Sequence, residues 1–247
     1  MRVGFLGCGK IGQSILTDLS KRSNIEISYI QDPFYQNERY NVIKKSDKNL
    51  LEPTDLVIES AMSDVLKENM DEILQYSDVL VFSVTAFADE DFYKHTLFLM
   101  EKYQHKVYLP HGAILGIDGI ADGRMLIQQV RIVTTKNPKS LGREDKTKTI
   151  VYEGKCREAC GLYPRNVNVH ATIALAGIGF DRTESVIVSD PQVNTNTHEI
   201  SVKGEGIDFS MTISSFATGG VTGKYTPYSA IGSVHRILGD ISGFQFV

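Results

Sequence analysis

The sequence predicts an α/β fold in which a Rossmann-type parallel sheet domain is followed by a smaller α+β domain. Strand and helix patterns alternate through the first 110 residues, and the first predicted strand runs directly into a glycine-rich turn. After Pro110, predicted strands follow one another with few helices between them. Alternation favours a parallel sheet covered on both faces, whereas successive strands favour an antiparallel or mixed sheet.

In the first half, β-branched and apolar runs predict strands, and apolar residues at helical spacing predict the helices between them. The predicted strands are Arg2–Leu6, Ile25–Ile30, Asp55–Glu59, Asp78–Val84 and Lys106–Leu109. The predicted helices are Ile11–Leu19, Asp64–Leu74 and Asp89–Gln104. We therefore assign residues 1–109 to a dinucleotide-binding domain.

The second half differs in its pattern of strands and helices, and we assign residues 110–225 to a second, α+β domain. Its predicted strands are Val130–Lys136, Lys148–Tyr152, Ser185–Ser189, Glu199–Lys203 and Phe209–Ser215. Its predicted helices are Arg157–Leu162 and Val167–Ala176. A last helix, Pro227–Gly239, lies in the segment 226–247, which we expect to pack back on the first domain.

Composition narrows the class of protein. A net charge of −4 argues against a nucleic-acid binder, and no apolar run approaches the ~20 residues that span a bilayer. Three cysteines without a repeated spacing do not form a disulfide framework and suit the cytoplasm. Cys156 and Cys160 could share a helix face, but without further ligands two half-buried thiols are favoured over a metal site.

A nucleotide site is predicted at Gly7-Cys8-Gly9-Lys10-Ile11-Gly12, which matches G-x-G-x-x-G between a strand and a helix. Gly7 permits the turn, Gly9 lets the backbone approach a pyrophosphate, and Gly12 allows close helix–strand packing. Asp32 follows the second predicted strand, where a carboxylate would bond the ribose hydroxyls and repel a 2′-phosphate.

The motif therefore predicts NAD rather than NADP, although Lys10 in the loop could soften that preference. Two alternatives remain open. The turn could bind nothing, with Asp32 as a surface cap, or it could hold a flavin, which usually needs a longer chain.

The nicotinamide should lie at the carboxyl edge of the sheet, near the reversal of strand order. The loops predicted there contain Ala61, Ser83, Thr85 and Ala86, which are small or carry hydroxyls. The same residues would equally suit ordinary helix caps.

Transfer of hydride from a substrate to such a cofactor also requires a proton acceptor, for which histidine is the default. The six histidines are His95, His105, His111, His170, His198 and His235. We expect His95 and His105 to be exposed and place His111, His170 and His198 near loops. Spacing alone does not choose among them.

Five sequence blocks follow one another along the chain: Ser83–Asp89 (SVTAFAD), Pro110–Asp118 (PHGAILGID), Lys136–Gly142 (KNPKSLG), Tyr163–Val169 (YPRNVNV) and Asp190–His198 (DPQVNTNTH). In content and order they resemble the aspartate dehydrogenase family. The resemblance implies a Rossmann-like domain followed by an α+β domain, residues 110–225, for substrate binding, catalysis and dimerisation, and hence a homodimer.

The resemblance also implies roles for single residues. It makes His198 the catalytic base, in a loop shaped by Asn194 and Asn196, and it places Asn168 and the backbone of Ala113 at the cofactor. The candidates for holding the substrate are His111, Lys136, Lys139, Ser140, Asn166 and Asn196. No metal is implied.

Two residues depart from the family pattern, which usually has a small residue at His111 and at His170. Either could add an imidazole to the pocket, or both could be tolerated replacements. Lysines such as Lys139 are also often merely solvated.

The implied activity is oxidation of L-aspartate to iminoaspartate with hydride transfer to NAD, NADP being possible. Iminoaspartate would then give oxaloacetate and ammonia or pass towards quinolinate. The alternatives are a related reductase acting on another small acid, and a non-catalytic NAD sensor.

Overall fold

The computed structural model describes residues 1–216 and 223–239. The chain divides into two compact units. The described part of the first unit is Met1–Pro110 with the residues from Ser229 onward, and the second is His111–Tyr228. Residues 240–247, the end of the segment that we expect to pack on the first domain, lie outside the described residues.

The first unit contains a six-stranded sheet in which all strands are parallel. The strands are β1 (Arg2–Leu6), β2 (Glu26–Gln31), β3 (Val42–Ile43), β4 (Leu56–Glu59), β5 (Asp78–Val81) and β6 (Val107–Tyr108). Their order is β3-β2-β1-β4-β5-β6, so the order reverses between β1 and β4. This is the strand order of the Rossmann fold, and the predicted fold class is confirmed.

Helices connect these strands and supply the apolar layer against the sheet. They are α1 (Lys10–Leu19), α2 (Lys48–Leu51), α3 (Ser63–Tyr76) and α4 (Glu90–Tyr103). Phe5 of β1 packs with Ile15 and Leu19 of α1, which are all fully buried. The short elements β3 and α2 were not predicted, because two to four residues are too few for a periodic pattern.

The predicted strand Asp78–Val84 is wrong at its end, since β5 stops at Val81 and Val84–Ala88 forms a short 3-10 helix. The chain turns there because the backbone N–H and the hydroxyl of Ser83 both donate to the carboxylate of Glu59. The apolar run alone could not reveal this exit from the sheet.

The second unit contains a mixed five-stranded sheet, as the succession of strands predicts. Its strands are β7 (Ile127–Lys136), β8 (Thr149–Lys155), β9 (Thr183–Ser189), β10 (Thr195–Gly204) and β11 (Ile207–Phe216). Their order is β11-β10-β7-β9-β8, with β7 and β9 parallel and the other pairs antiparallel. The helices are α5 (Ile117–Gly123), α6 (Cys156–Leu162) and α7 (Asn168–Ala176), and Pro138–Leu141 is a second 3-10 helix.

The two central strands of this sheet change from apolar to polar along one face. In the antiparallel register of β7 and β10, Val130 lies opposite Val202 and Ile132 opposite Ile200. These four side chains are fully buried in the core, together with Ile173 of α7. The next pair on the same face is polar and is described below.

The last described helix, α8 (Tyr225–Ile237), begins two residues before the predicted Pro227. Ala230 and Val234 belong to the same buried cluster as Phe5 and Ile15. His235 Nε2 lies 2.8 Å from an Asp18 carboxylate oxygen. Within the described residues no helix is both long and apolar enough to cross a bilayer.

Candidate active site

The glycine turn that follows β1 has the geometry that the motif predicts. Gly7 has a φ of 86°, and a Cβ there would lie 2.7 Å from the backbone nitrogen of Ala61. A Cβ on Gly12 would lie 2.8 Å from the carbonyl oxygen of Gly7, whereas one on Gly9 would meet no atom within 4 Å. The backbone is therefore closed beneath Gly7 and Gly12 and open above Gly9, which suits a pyrophosphate at the start of α1.

The carboxylate of Asp32 holds this turn by hydrogen bonds to backbone N–H groups. One carboxylate oxygen accepts a 2.7 Å hydrogen bond from Cys8 N, and the other accepts from Phe34 N at 2.8 Å and Tyr35 N at 3.0 Å. A carboxylate has about four acceptor positions, so one remains for a ribose hydroxyl. Burial, and then the charge of Asp32, raise the pKa of the Cys8 thiol to about 11, which keeps it neutral.

Lys10 and Ile11 open α1 beside this turn. Lys10 is exposed and Ile11 half-buried. Both therefore lie where the motif places them, and their contact with a cofactor stays a prediction.

Glu59, which the sequence analysis missed, ties together the loops after β4 and β5. Its carboxylate is fully buried and accepts from Ala61 N at 2.8 Å, Phe82 N at 3.1 Å, Ser83 N at 2.9 Å and Ser83 Oγ at 2.7 Å. Burial raises the pKa of Glu59, and the hydrogen bonds act against that rise. The available signal was an acid that ends the apolar run Leu56–Ile58.

Hydrogen bonds within the first unit therefore fix the loops after β4 and β5, which are predicted to contact the nicotinamide. The hydroxyl of Ser83 is engaged by Glu59, and that of Thr85 lies 2.8 Å from Ser63 Oγ. Ala86 is buried, whereas Ala61 is half-buried. These loops offer backbone and small side chains, which agrees with a close approach by a planar ring.

His198 lies in the second unit, inside strand β10 rather than in a loop, and this corrects the predicted placement. In the register it pairs with Thr134 of β7 and Ile213 of β11, and its ring is 3% exposed. Asn196 is also in β10 and buried, whereas Asn194 precedes the strand. The two residues on this strand therefore share the buried face by strand alternation.

The ring of His198 is the end of a continuous hydrogen-bonded series. His198 Nδ1 lies 2.8 Å from Thr134 Oγ1, which lies 2.6 Å from His170 Nε2. His170 Nδ1 in turn lies 2.5 Å from Ser185 Oγ. His170 is fully buried near the start of α7, inside the predicted helix Val167–Ala176. Thr134 and Ser185 were missed, although Thr134 follows Val130 and Ile132 on one face of β7.

Lys136 ends β7 on this face and is only 3% exposed. Its Nζ donates to the backbone oxygen of Asn166 at 3.2 Å and approaches Asn166 Oδ1 at 3.4 Å. Burial lowers the pKa of Lys136 to about 8, so the amine is still mostly protonated at neutral pH. Asn166 and Lys136, two candidates for holding the substrate, are thus in contact, and Lys136 ends a strand as the predicted bounds Val130–Lys136 have it.

The other predicted residues of this unit lie in three places. Lys139, which is exposed, and Ser140, which is half-buried, lie in the 3-10 helix that Asn137 caps. Asn168 begins α7, and its carbonyl accepts from the Thr172 hydroxyl at 2.9 Å. His111 and Ala113 are half-buried in the turn that follows Pro110.

Both buried imidazoles are neutral. Burial, and then the charge of Lys136, lower the pKa of His198 to about 3. Burial, followed by His198 and Lys136, holds the pKa of His170 well below its ordinary value. A neutral imidazole can accept a proton, and Lys136 can attract a carboxylate. This face can therefore bind a carboxylate-bearing molecule and accept a proton from another of its groups.

The sulfur atoms of Cys156 and Cys160 lie 3.9 Å apart, and both residues are buried in α6. Within the described ranges, no three His, Cys, Asp or Glu side chains are grouped so that they could hold a metal ion.

Family models match both units. Residues 7–110 match the NAD-binding domain of homoserine dehydrogenase, and residues 118–237 match the C-terminal domain of aspartate dehydrogenase. With the strand order and the glycine turn, these matches define a pyridine-nucleotide-dependent oxidoreductase.

Individual relatives narrow the class. L-Aspartate dehydrogenase from Methanosarcina barkeri is 34% identical across 98% of both chains, and that from Archaeoglobus fulgidus is 34% identical across 83% of both. The crystal structure of aspartate dehydrogenase from Thermotoga maritima superposes with a TM-score of 0.81 at 28% identity, covering 100% of this chain and 99% of the other. The chain belongs to the L-aspartate dehydrogenase family.

A more distant structure shares the fold alone. Dihydrodipicolinate reductase from Paenisporosarcina matches with a TM-score of 0.53 at 13% identity, covering 95% of this chain and 91% of the other.

The neutral imidazoles predict acid sensitivity. The folded pKa of His198 is lowered, so below about pH 6.5 the unfolded chain binds a proton that the folded chain does not bind. The free energy of unfolding should then fall by up to about 1.4 kcal/mol per pH unit for this residue. Urea unfolding at pH 7 and pH 5 measures the loss.

His198→Asn should reduce that loss, whereas His95→Asn, which removes an exposed ring, should leave it in place. An equal loss in the His198 variant and the parent chain would contradict the prediction.

Proposed function

We propose that this chain is an L-aspartate dehydrogenase that oxidises L-aspartate with transfer of hydride to NAD, with NADP as a possible second cofactor. The observation that carries the proposal is the neutral His198 ring beside the buried ammonium of Lys136 on one sheet face. A base and a cation are the two groups that an amino acid with an extra carboxylate requires. Membership of the family supports the same conclusion.

Binding of the cofactor is assigned to the first unit. The open backbone above Gly9 would receive the pyrophosphate, and the remaining acceptor position of Asp32 would bond the adenosine ribose. The Glu59 carboxylate would hold the loops at Ala61 and Ser83 beside the nicotinamide. The hydride that leaves the substrate Cα is taken up by the oxidised nicotinamide, which is the chemistry that the bound cofactor supplies.

Binding of the substrate and proton transfer are assigned to the second unit. Lys136 would pair with one carboxylate of aspartate, and His198 Nε2 would accept a proton from the substrate ammonium. As the amine loses that proton and Cα loses its hydride, iminoaspartate forms. The same imidazole could then activate water for hydrolysis to oxaloacetate and ammonia.

Substrate charge should also improve the base. The positive charge of Lys136 is one of the two causes that lower the pKa of His198. A substrate carboxylate beside Lys136 offsets that charge, so it raises the pKa of His198 towards the range of an effective general base. The substrate would thereby help to activate the group that deprotonates it.

The roles of His111, Lys139, Ser140, Asn168, Asn196 and Ala113 remain predictions from the family resemblance. We also propose a cytoplasmic homodimer that pairs through the sheet of the second unit. The three cysteines are free thiols, which agrees with a reducing compartment. Light scattering on a size-exclusion column would measure the assembly.

The proposed activity predicts NADH formation with L-aspartate and with no other L-amino acid of a panel. The reaction is followed by near-ultraviolet absorbance, first with NAD and then with NADP. Turnover of another small acid would favour a related reductase instead. Cofactor binding without turnover of any substrate would favour an NAD sensor and contradict the proposal.

His198→Ala should lower kcat by about 10²- to 10⁴-fold, the usual contribution of a general base. NAD affinity should change little, because His198 lies in the other unit from the glycine turn. Steady-state kinetics and cofactor titration measure the two effects. A variant that retains the kcat of the parent chain would remove His198 from the mechanism.

Replacement of Lys136 should stabilise the fold and weaken substrate binding. Because its buried ammonium is desolvated, Lys136→Met should raise the free energy of unfolding at pH 7 by on the order of 1 to 3 kcal/mol. It should also raise the KM for aspartate at least about tenfold, since one charge-assisted contact is lost. The stability gain should shrink between about pH 8 and the ordinary lysine pKa, where the folded parent chain loses the proton first.

The exposed Lys139 supplies the matched control. Lys139→Met should change neither quantity appreciably, and a larger effect on KM there than at Lys136 would reverse the assignment of the two lysines.

A further inference from the structure

His170 has no assigned task in the proposed reaction, yet both of its ring nitrogens are engaged. The residue is fully buried, and its partners are the hydroxyls of Thr134 and Ser185. An imidazole removed from water is costly unless its polar atoms are satisfied. This arrangement connects His170 to His198 through a single hydroxyl group.

Thr134 couples the two imidazoles because its hydroxyl has one hydrogen. Oγ1 lies 2.8 Å from His198 Nδ1 and 2.6 Å from His170 Nε2, so it contacts both rings at once. The hydrogen can be donated to only one of them, and the other ring must then donate its own N–H to Oγ1. The tautomers of His170 and His198 are therefore not independent.

Two arrangements satisfy all the contacts. In the first, His198 Nδ1–H donates to Thr134, Thr134 donates to His170 Nε2, and His170 Nδ1–H donates to Ser185. In the second, every hydrogen is reversed, and His198 carries its proton on Nε2. The tautomer of His198 is thus coupled through Thr134 to the hydrogen bonds of His170 and Ser185.

Only the first arrangement is competent for proton transfer. It leaves a lone pair on His198 Nε2, which has no hydrogen-bond partner among the residues that the structure describes. When Nε2 gains the proton that the substrate ammonium loses, Nδ1–H stays in place and still donates to Thr134. In the second arrangement the only lone pair is on Nδ1, where Thr134 already occupies it.

We propose that Ser185, His170 and Thr134 form a hydroxyl–imidazole chain that holds His198 in the Nδ1–H tautomer, which makes His170 and Thr134 positioning residues for the base. The inference rests on the proposed function, because proton transfer is what favours the first arrangement over the second. The tautomer of His198 can be measured without any turnover.

The hydroxyl–imidazole chain and His198 lie on three strands and one helix. Thr134 and His198 face each other in the antiparallel register of β7 and β10, and Ser185 lies in β9, which pairs with β7 on its other side. His170 descends from α7 onto the same face. None of these four residues lies in a loop, so sheet register and helix packing set the distances between them.

The test is nitrogen-15 NMR of protein labelled in its histidines, with the His198 signals assigned by their loss in His198→Asn. We expect Nδ1 to carry the proton and Nε2 to be unprotonated at neutral pH. A parent chain with the proton on Nε2 overturns the proposal, whether or not aspartate is turned over.

Substitutions then test the coupling. His170→Phe keeps a planar ring but removes the acceptor, which frees Thr134 to donate to His198 Nδ1 and should shift His198 to the Nε2–H tautomer. Thr134→Val removes the hydroxyl with little change of volume. Both should lower kcat by about 10- to 10³-fold while the KM for aspartate and the affinity for NAD change less than threefold.

Thr134→Ser restores the hydroxyl and should recover most of the lost kcat and the Nδ1–H tautomer. Thr212→Val is the matched control, because Thr212 is exposed in β11, and it should change neither. Unaltered tautomer and kcat in both His170→Phe and Thr134→Val would overturn the proposal. Absence of aspartate turnover in the parent chain would instead reject the proposed function, and the spectra would still decide the tautomer.

Discussion

The second unit depends on the antiparallel register of β7 and β10. That register places valine opposite valine and isoleucine opposite isoleucine, and one step further it places Thr134 opposite His198. A shift by one residue would turn every one of these side chains to the other face. The apolar pairs therefore fix the polar pair, and the packing that stabilises the sheet also sets the 2.8 Å contact at the candidate base.

The polar end of this face carries one buried cation. Lys136 and two imidazoles lie close together. Burial, and then the charge of Lys136, lower the pKa of His198, and burial, His198 and Lys136 lower that of His170, so both rings stay neutral. The face therefore holds one positive charge with an adjacent proton acceptor. The desolvated charge of Lys136 lowers the free energy of unfolding. An anionic substrate beside it would offset that cost, which links the proposed specificity to the stability of the unit.

Much of the fold could be predicted from the sequence, because apolar periodicity and the glycine motif are local signals. β2, α3 and α7, for example, lie within a few residues of their predicted bounds. What could not be predicted depends on contacts between distant residues. The exit of the chain after β5 depends on Glu59, 24 residues before Ser83. Similarly, the partners of His198 come from β7, α7 and β9, and no spacing in the sequence shows that they meet.

The bonds of Asp32 restrict how the cofactor preference of this chain could change during evolution. The carboxylate that would exclude a 2′-phosphate is the same group that holds Cys8, Phe34 and Tyr35 in place. Replacement of Asp32 by a residue without a side-chain acceptor would leave those three backbone N–H groups without their partner. A change of cofactor preference by such a replacement would therefore also destabilise the loop.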